Sequence, residues 1–105
     1  FQKGDLHSCI DEAIKLIKKY KSATAYNIYA LCHKRLGNYP LALQIYEELL
    51  INNPTNTLFL ANLGNVYNDI GKLDKAESVL KKCLLVDIKN WILILRNLEN
   101  QLTLS

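Results

Sequence analysis

At 105 residues the chain has the length of one domain, enough for a core but not for two. Half of its residues are hydrophobic and 22% are charged, which excludes a disordered polyelectrolyte. The net charge of +3 rests mainly on lysines, with Arg35 and Arg96 the only arginines, so the concentrated basic face of a nucleic-acid-binding domain is missing and no nucleic-acid partner is expected.

The first predicted helix covers about residues 5–20, where Leu6, Ile10, Ala13, Ile14 and Ile17 recur at helical spacing. Further helices are expected at about 23–36, 39–52, 57–70, 73–86 and 90–103, six in all. Gly4, Gly37 and Gly71 fall at the links, where a residue free to take positive φ can end a helix. Asp5, Asn38 and Asp74 lie at or near helix starts, where side-chain oxygens can cap free N–H groups. Pro40 sits in a first turn, where its missing N–H costs nothing, and Pro54 follows a helix end that it cannot continue. No stretch alternates at period two for long enough to make a strand.

The segments from Ala25 and from Phe59 align without a gap at an offset of 34 residues. Gly37 falls on Gly71, Ala42 on Ala76, Tyr46 on Leu80 and Pro54 on Ile88. A third copy, lacking its first helix, pairs Gly4, Leu6 and Cys9 with Gly37, Tyr39 and Ala42 at an offset of 33. Small residues at Ala30, Gly64, Ala42 and Ala76 would let helices approach closely, and Tyr26, Tyr46, Leu60 and Leu80 would fill the space between them. One helix pair cannot bury its apolar face alone, whereas stacked pairs share a continuous core.

This pattern resembles the tetratricopeptide repeat. Residues 57–90 carry it through Leu60, Leu63-Gly64, Tyr67, Gly71, Ala76, Leu80, Cys83 and Ile88, and residues 23–56 through Tyr26, Tyr29-Ala30, Gly37, Ala42, Tyr46 and Pro54. His33 stands where the aromatic Tyr67 stands in the next copy. The resemblance implies an all-α solenoid of stacked antiparallel helix pairs. Its expected divisions are a single domain over 1–105, with the second helix of a truncated repeat at 1–22, repeats at 23–56 and 57–90, and a terminal or next-repeat helix at 91–105.

In that family the first helix of each pair lines a concave groove, so the resemblance implies a scaffold that binds a protein or an extended peptide there. On the helix at 57–70, Leu58, Ala61, Asn62, Asn65, Asn68 and Asp69 form one stripe at spacings of three and four. Asparagine offers both donor and acceptor, so a row of them suits the backbone of an extended segment. The preceding first helix presents Thr24, Asn27, Leu31, Lys34 and Arg35, and Arg96 falls on the corresponding part of the last helix. Some family members hold acidic chaperone tails in a Lys-Asn-Asn-Lys-Arg clamp. Here the matching positions are Asn27, Leu31, Asn62, Ile92 and Arg96, of which Asn62 and Arg96 agree, so that ligand is not expected. A ladder of one asparagine per repeat would need asparagine at Ile28, Asn62 and Arg96, and one fits. An alternative function is the accessory or substrate-recruiting domain of a larger enzyme such as a glycosyltransferase or sulfotransferase, since similar repeats often precede such domains.

No catalytic constellation is apparent. Cys9, Cys32 and Cys83 lack CxxC spacing and lie among apolar residues, which suits buried thiols in a reducing, cytoplasmic setting better than a disulfide or zinc site. His7 and His33 have no carboxylate at ligand spacing, and Cys32-His33 point about 100° apart on a helix, so neither a metal, a cofactor nor enzymatic activity is expected. Lys15, Lys18, Lys19 and Lys21 cluster near a helix end, where an acidic partner is a second choice. No apolar run reaches the roughly 18 residues that span a bilayer, so no membrane partner is expected. The chain opens on Phe1 rather than Met, as expected of a fragment or processed form. The run Trp91 to Leu95 cannot face one side of a helix, which leaves apolar surface for a homodimer through the C-terminal helix.

Overall fold

A computed structural model describes residues 3–104, and all of its regular structure is helical, with no strand among the described residues. The helices are α1 (Lys3–Tyr20), α2 (Ala23–Arg35), α3 (Tyr39–Asn52), α4 (Thr57–Asp69) and α5 (Leu73–Leu104). Each packs against the next in the chain, and α2 also touches α4. The result is a short solenoid of helix pairs, 57 × 35 × 26 Å. The expected domain limits at Phe1 and Ser105 lie outside the described residues.

The links recur with the sequence period. Gly37 and Gly71 take φ of +83° and +81°, the left-handed conformation that a side chain disfavours. In the first turn Asn38 N–H reaches His33 C=O at 2.8 Å and Gly37 N–H reaches Lys34 C=O at 3.0 Å. In the second, 34 residues on, Lys72 N–H reaches Tyr67 C=O at 2.9 Å and Gly71 N–H reaches Asn68 C=O at 3.1 Å. Both are the paired-bond ending in which glycine follows the last helical turn and frees the chain to reverse. The first link differs, because Lys21 there takes φ of +49° without being a glycine. Gly4, expected at a link, lies in the first turn of α1 instead, and no helix precedes it among the described residues for it to end.

Side-chain caps appear at Ser22 and Asn56, whose oxygens accept the N–H of Ala25 at 3.1 Å and of Phe59 at 3.0 Å. Asn38, an expected cap, occupies the right position without capping. Its Nδ2 lies 3.3 Å from His33 Nδ1 instead.

The core forms between α2, α3 and α4 from Ala30, Ala42, Ile45, Tyr46, Phe59, Leu63 and Val66. Ala30 and Ala42 are fully buried, which is the close helix approach that small residues permit. One repeat later Gly64 and Ala76 are buried as well, but the large neighbour is less covered: Tyr46 is 0% exposed, whereas Leu80 is 40% exposed. The difference follows from what lies outside each helix, since α3 has α4 against it and α5 has no following helix among the described residues.

Five helices rather than six result because α5 runs unbroken for 32 residues. The link between α3 and α4 contains Asn53 and Pro54, and a proline cannot continue a helix. The corresponding stretch of α5 carries Ile88 at proline's place, with no glycine beside it, so nothing interrupts the hydrogen-bond ladder. Cys83 Sγ donates to Thr57 C=O at 3.4 Å, which places Cys83 beside the first residue of α4. Beyond that point α5 has run past the end of the helix it packs on.

His33 packs edge-on against Tyr29, with ring centroids 4.6 Å apart and planes at 69°. With the Asn38 amide N–H directed at Nδ1, the ring proton belongs on Nε2, which is buried without a partner. Burial pushes the His33 pKa below its usual value, and the nearby His7 adds to the effect. A depressed folded-state pKa makes the stability contribution of the neutral ring complete above the unfolded value of about 6.5. That contribution is lost as pH falls through the lower folded-state value. Urea midpoints should therefore drop between pH 7.5 and pH 5, and by less in His33→Phe; an identical drop in both proteins would remove His33 as a cause.

Candidate functional site

The face shared by α2 and α4 holds the largest group of expected binding residues. Its deepest part is a polar knot. Asn27 on α2 is 7% exposed, and its Oδ1 accepts from Tyr46 Oη and from Asn62 Nδ2, each at 3.0 Å. A buried amide oxygen is costly unless bonded, and two donors satisfy both of its lone pairs. Burial pushes the Tyr46 phenol well above its usual pKa, opposed in part by hydrogen bonding with Asn62, which keeps Tyr46 a neutral donor near neutral pH. By its repeat position alone Tyr46 is a space-filling residue. The available signal was an asparagine on a helix whose other buried residues, Ala25, Ala30 and Cys32, are apolar or thiol.

A second link between the same helices is the ion pair of Lys34 Nζ with Asp69 Oδ2 at 3.5 Å. Both side chains keep partial exposure, so the pair is worth at most about 1 kcal/mol. The two links have the same 35-residue separation, Asn27 to Asn62 and Lys34 to Asp69. They place adjacent first helices in a fixed register.

The expected stripe thus divides. Asn27, Lys34, Asn62 and Asp69 are brought together across α2 and α4 and bond to one another or to the core. Asn65 and Leu58 are exposed on α4, Leu58 by 56%, and Ala61 is half-buried beside them. Asn68 is turned to the α5 side, where it lines a recess with Leu73, Ala76, Glu77, Leu80, Lys81 and Leu84. Leu31 is half-buried toward α1, lining a recess with Leu6, Cys9, Ile28, Cys32 and Arg35. Arg96 is not brought to this face. It lies on the part of α5 that has run past α4, because the break that would have returned it to the groove is absent.

The thiols differ in setting: Cys32 is buried, and Cys9 and Cys83 are half-buried. Burial raises the pKa of Cys32, and the neighbouring Cys9 adds to that. Among the described residues no group of three or more His, Cys, Asp or Glu side chains could hold a metal ion. No helix among them is long and apolar enough to cross a membrane.

Two tetratricopeptide repeat family profiles match the chain, one over residues 3–57 and one over residues 35–87. Among curated proteins, the chain is 31% identical over 68 residues to "Uncharacterized protein ycf37" of Guillardia theta, and 32% identical over 68 residues to the protein of the same description from Pyropia yezoensis. Each match takes in 65% of this chain and 38% of the relative, so the matched stretch spans well under half of those proteins. The repeated glycine turns, the stacked helix pairs and these matches agree: the chain belongs to the tetratricopeptide repeat family.

Proposed function

We propose that the chain is a non-catalytic interaction module that holds an extended peptide, or an extended segment of a partner protein, along the face of α2 and α4. The observation that carries this reading is the division of labour on that face. Asn27, Asn62, Lys34 and Asp69 are tied together as a fixed floor. Leu58 and Asn65 stand exposed on it, an apolar anchor point and an unburied amide on one side of α4. A preorganised floor lowers the ordering cost of binding, and an exposed leucine beside an amide suits a ligand with both a backbone to bond and a side chain to bury.

The test is selection of binding peptides from a displayed library, followed by variants. Leu58→Ser with Asn65→Ala should weaken the selected peptides by tenfold or more, while the circular-dichroism helix signal stays unchanged, because neither side chain supports the core. Asn62 is unsuitable for this purpose, since its amide also holds Asn27. Lys15→Glu with Lys18→Glu and Lys19→Glu, on the exposed surface of α1, should leave binding intact. The opposite pattern would move the site to α1 and end the groove reading.

A further inference from the structure

The outer face of α5 carries a stripe of large apolar residues left largely exposed among the described residues. Leu73, Leu80, Leu84, Ile88, Trp91, Leu95, Leu98 and Leu102 are 62, 40, 59, 44, 64, 54, 50 and 76% exposed. At 100° per residue they fall within one quadrant of the helix, and at 1.5 Å per residue they extend over about 44 Å. The near half of the stripe, with Asn68, lines the recess beside α4. It corresponds by repeat position to the surface of α3 that α4 covers. The far half lies beyond α4.

The far half does not suit a return onto its own chain. Offset by 34 residues from α4, Asn97 and Asn100 fall at the positions of Leu63 and Val66, which are 6% and 0% exposed in the core. Folding back in the manner of α4 would bury two amides there without evident partners, which costs free energy.

The spacing of the stripe points to a different cover. Leu73, Glu77, Leu80 and Leu84 are separated by four, three and four residues, and Trp91, Leu95, Leu98 and Leu102 repeat the same intervals. The two sets mirror each other about the point between Asp87 and Ile88. An identical helix laid antiparallel therefore meets this one with Leu73 against Leu102, Glu77 against Leu98, Leu80 against Leu95 and Leu84 against Trp91, in both directions at once. Intervals of three and four are those by which paired helices interlock, and a two-fold axis requires this self-complementarity. From Leu73 to Leu102, the whole paired stretch, the helix carries five bases and four acids, a net charge of +1, so repulsion between copies there is small although the whole chain is +3. Covering eight such side chains, each with on the order of 100 Å² of apolar surface to lose, would bury about 800 Å² per copy, the size of a standard stable interface.

We propose that two copies of the chain pair through α5 in this antiparallel register, the far half of each helix covering the recess beside α4 of the other. Trp91 is the single tryptophan and reports the pairing directly. Light scattering on the 105-residue chain should give twice the monomer mass at tens of micromolar, with the Trp91 emission moving to shorter wavelength as the dimer forms on concentration. Leu98→Glu sets a second acid against Glu77 of the other copy and should give a monomer. Leu98→Lys sets a base there and should retain the dimer. Leu93→Glu, on the opposite side of α5, should leave the dimer unchanged. All three lie past the end of α4, and a circular-dichroism melt confirms that the solenoid stays folded. A monomer at every concentration up to several hundred micromolar would overturn the proposal, whether Trp91 is exposed or covered within it. So would a dimer that Leu98→Glu and Leu98→Lys weaken alike, or one that Leu93→Glu dissolves.

Discussion

Tyr46→Ala should lower the unfolding free energy by about 3–5 kcal/mol, the range for truncating a large buried aromatic. Tyr46 is 0% exposed and sits in the core between α2, α3 and α4. Its removal leaves a cavity among Ala30, Ala42 and Val66, which are themselves fully buried and too small to close it. It also takes one of two donors from Asn27 Oδ1. The two contributions separate by substitution. Tyr46→Phe keeps the ring and loses the hydroxyl, and should cost about 1 kcal/mol, a typical net hydrogen bond, because Asn62 still serves the Asn27 oxygen. Asn27→Ala leaves the buried Tyr46 hydroxyl only its long contact of 3.5 Å to the backbone carbonyl of residue 27 and takes away the acceptor of Asn62, and should cost more than Tyr46→Phe, about 1–3 kcal/mol. Urea unfolding of the three variants gives the order directly. A Tyr46→Ala cost below that of Asn27→Ala would mean that the knot, and not the packing, dominates here.

Gly64→Leu is the second large effect. A Cβ built at Gly64 would meet Leu80 Cδ2 at 2.7 Å and Cγ at 2.8 Å, closer than carbon atoms tolerate. Leu80 is 40% exposed, so its side chain has room to rotate away from a single methyl. Gly64→Ala is therefore expected near neutral, the displacement of Leu80 offset by the helix preference of alanine, about 1 kcal/mol. Leucine adds branches beyond the Cβ that already meets Leu80, and the overpacked variant should lose about 1–3 kcal/mol. Leu80→Ala should restore part of that loss in the double variant, because residues in direct contact couple by about 0.5–3 kcal/mol. Additive denaturation midpoints would show that the clash is relieved elsewhere, by separation of α4 from α5.

The helix pairs were legible because their punctuation is local. A glycine two residues before a helix starts, a proline after a helix ends and a 34-residue recurrence can each be read without knowing what packs on what. α5 departs from the recurrence. The recurrence called for a break near residue 88, but the residue actually there, isoleucine, has no power to end a helix, and the local chemistry prevailed over the period. The binding face divides in the same way. That Asn62, Asn65 and Asp69 share a side of α4 follows from helical spacing. That Asn62 and Asp69 are engaged with α2 while Asn65 is not depends on partners 35 residues away, and no local pattern carries that information. Asn27 was the most misleading position: an amide on the expected face, which the Tyr46 hydroxyl holds inside the core.

The two ties between α2 and α4 also bear on how the coil deforms. A solenoid flexes like a spring, and the easiest distortion opens or closes the angle between successive turns. Asn62 with Asn27 and Lys34 with Asp69 stitch adjacent turns together at two heights along the helices, so rocking one turn on the next must stretch at least one of them. The neutral amide stitch is insensitive to ionic strength, and the charged one is screened by salt. Raising salt should thus loosen the Lys34–Asp69 end of the seam and leave the Asn27–Asn62 end unchanged.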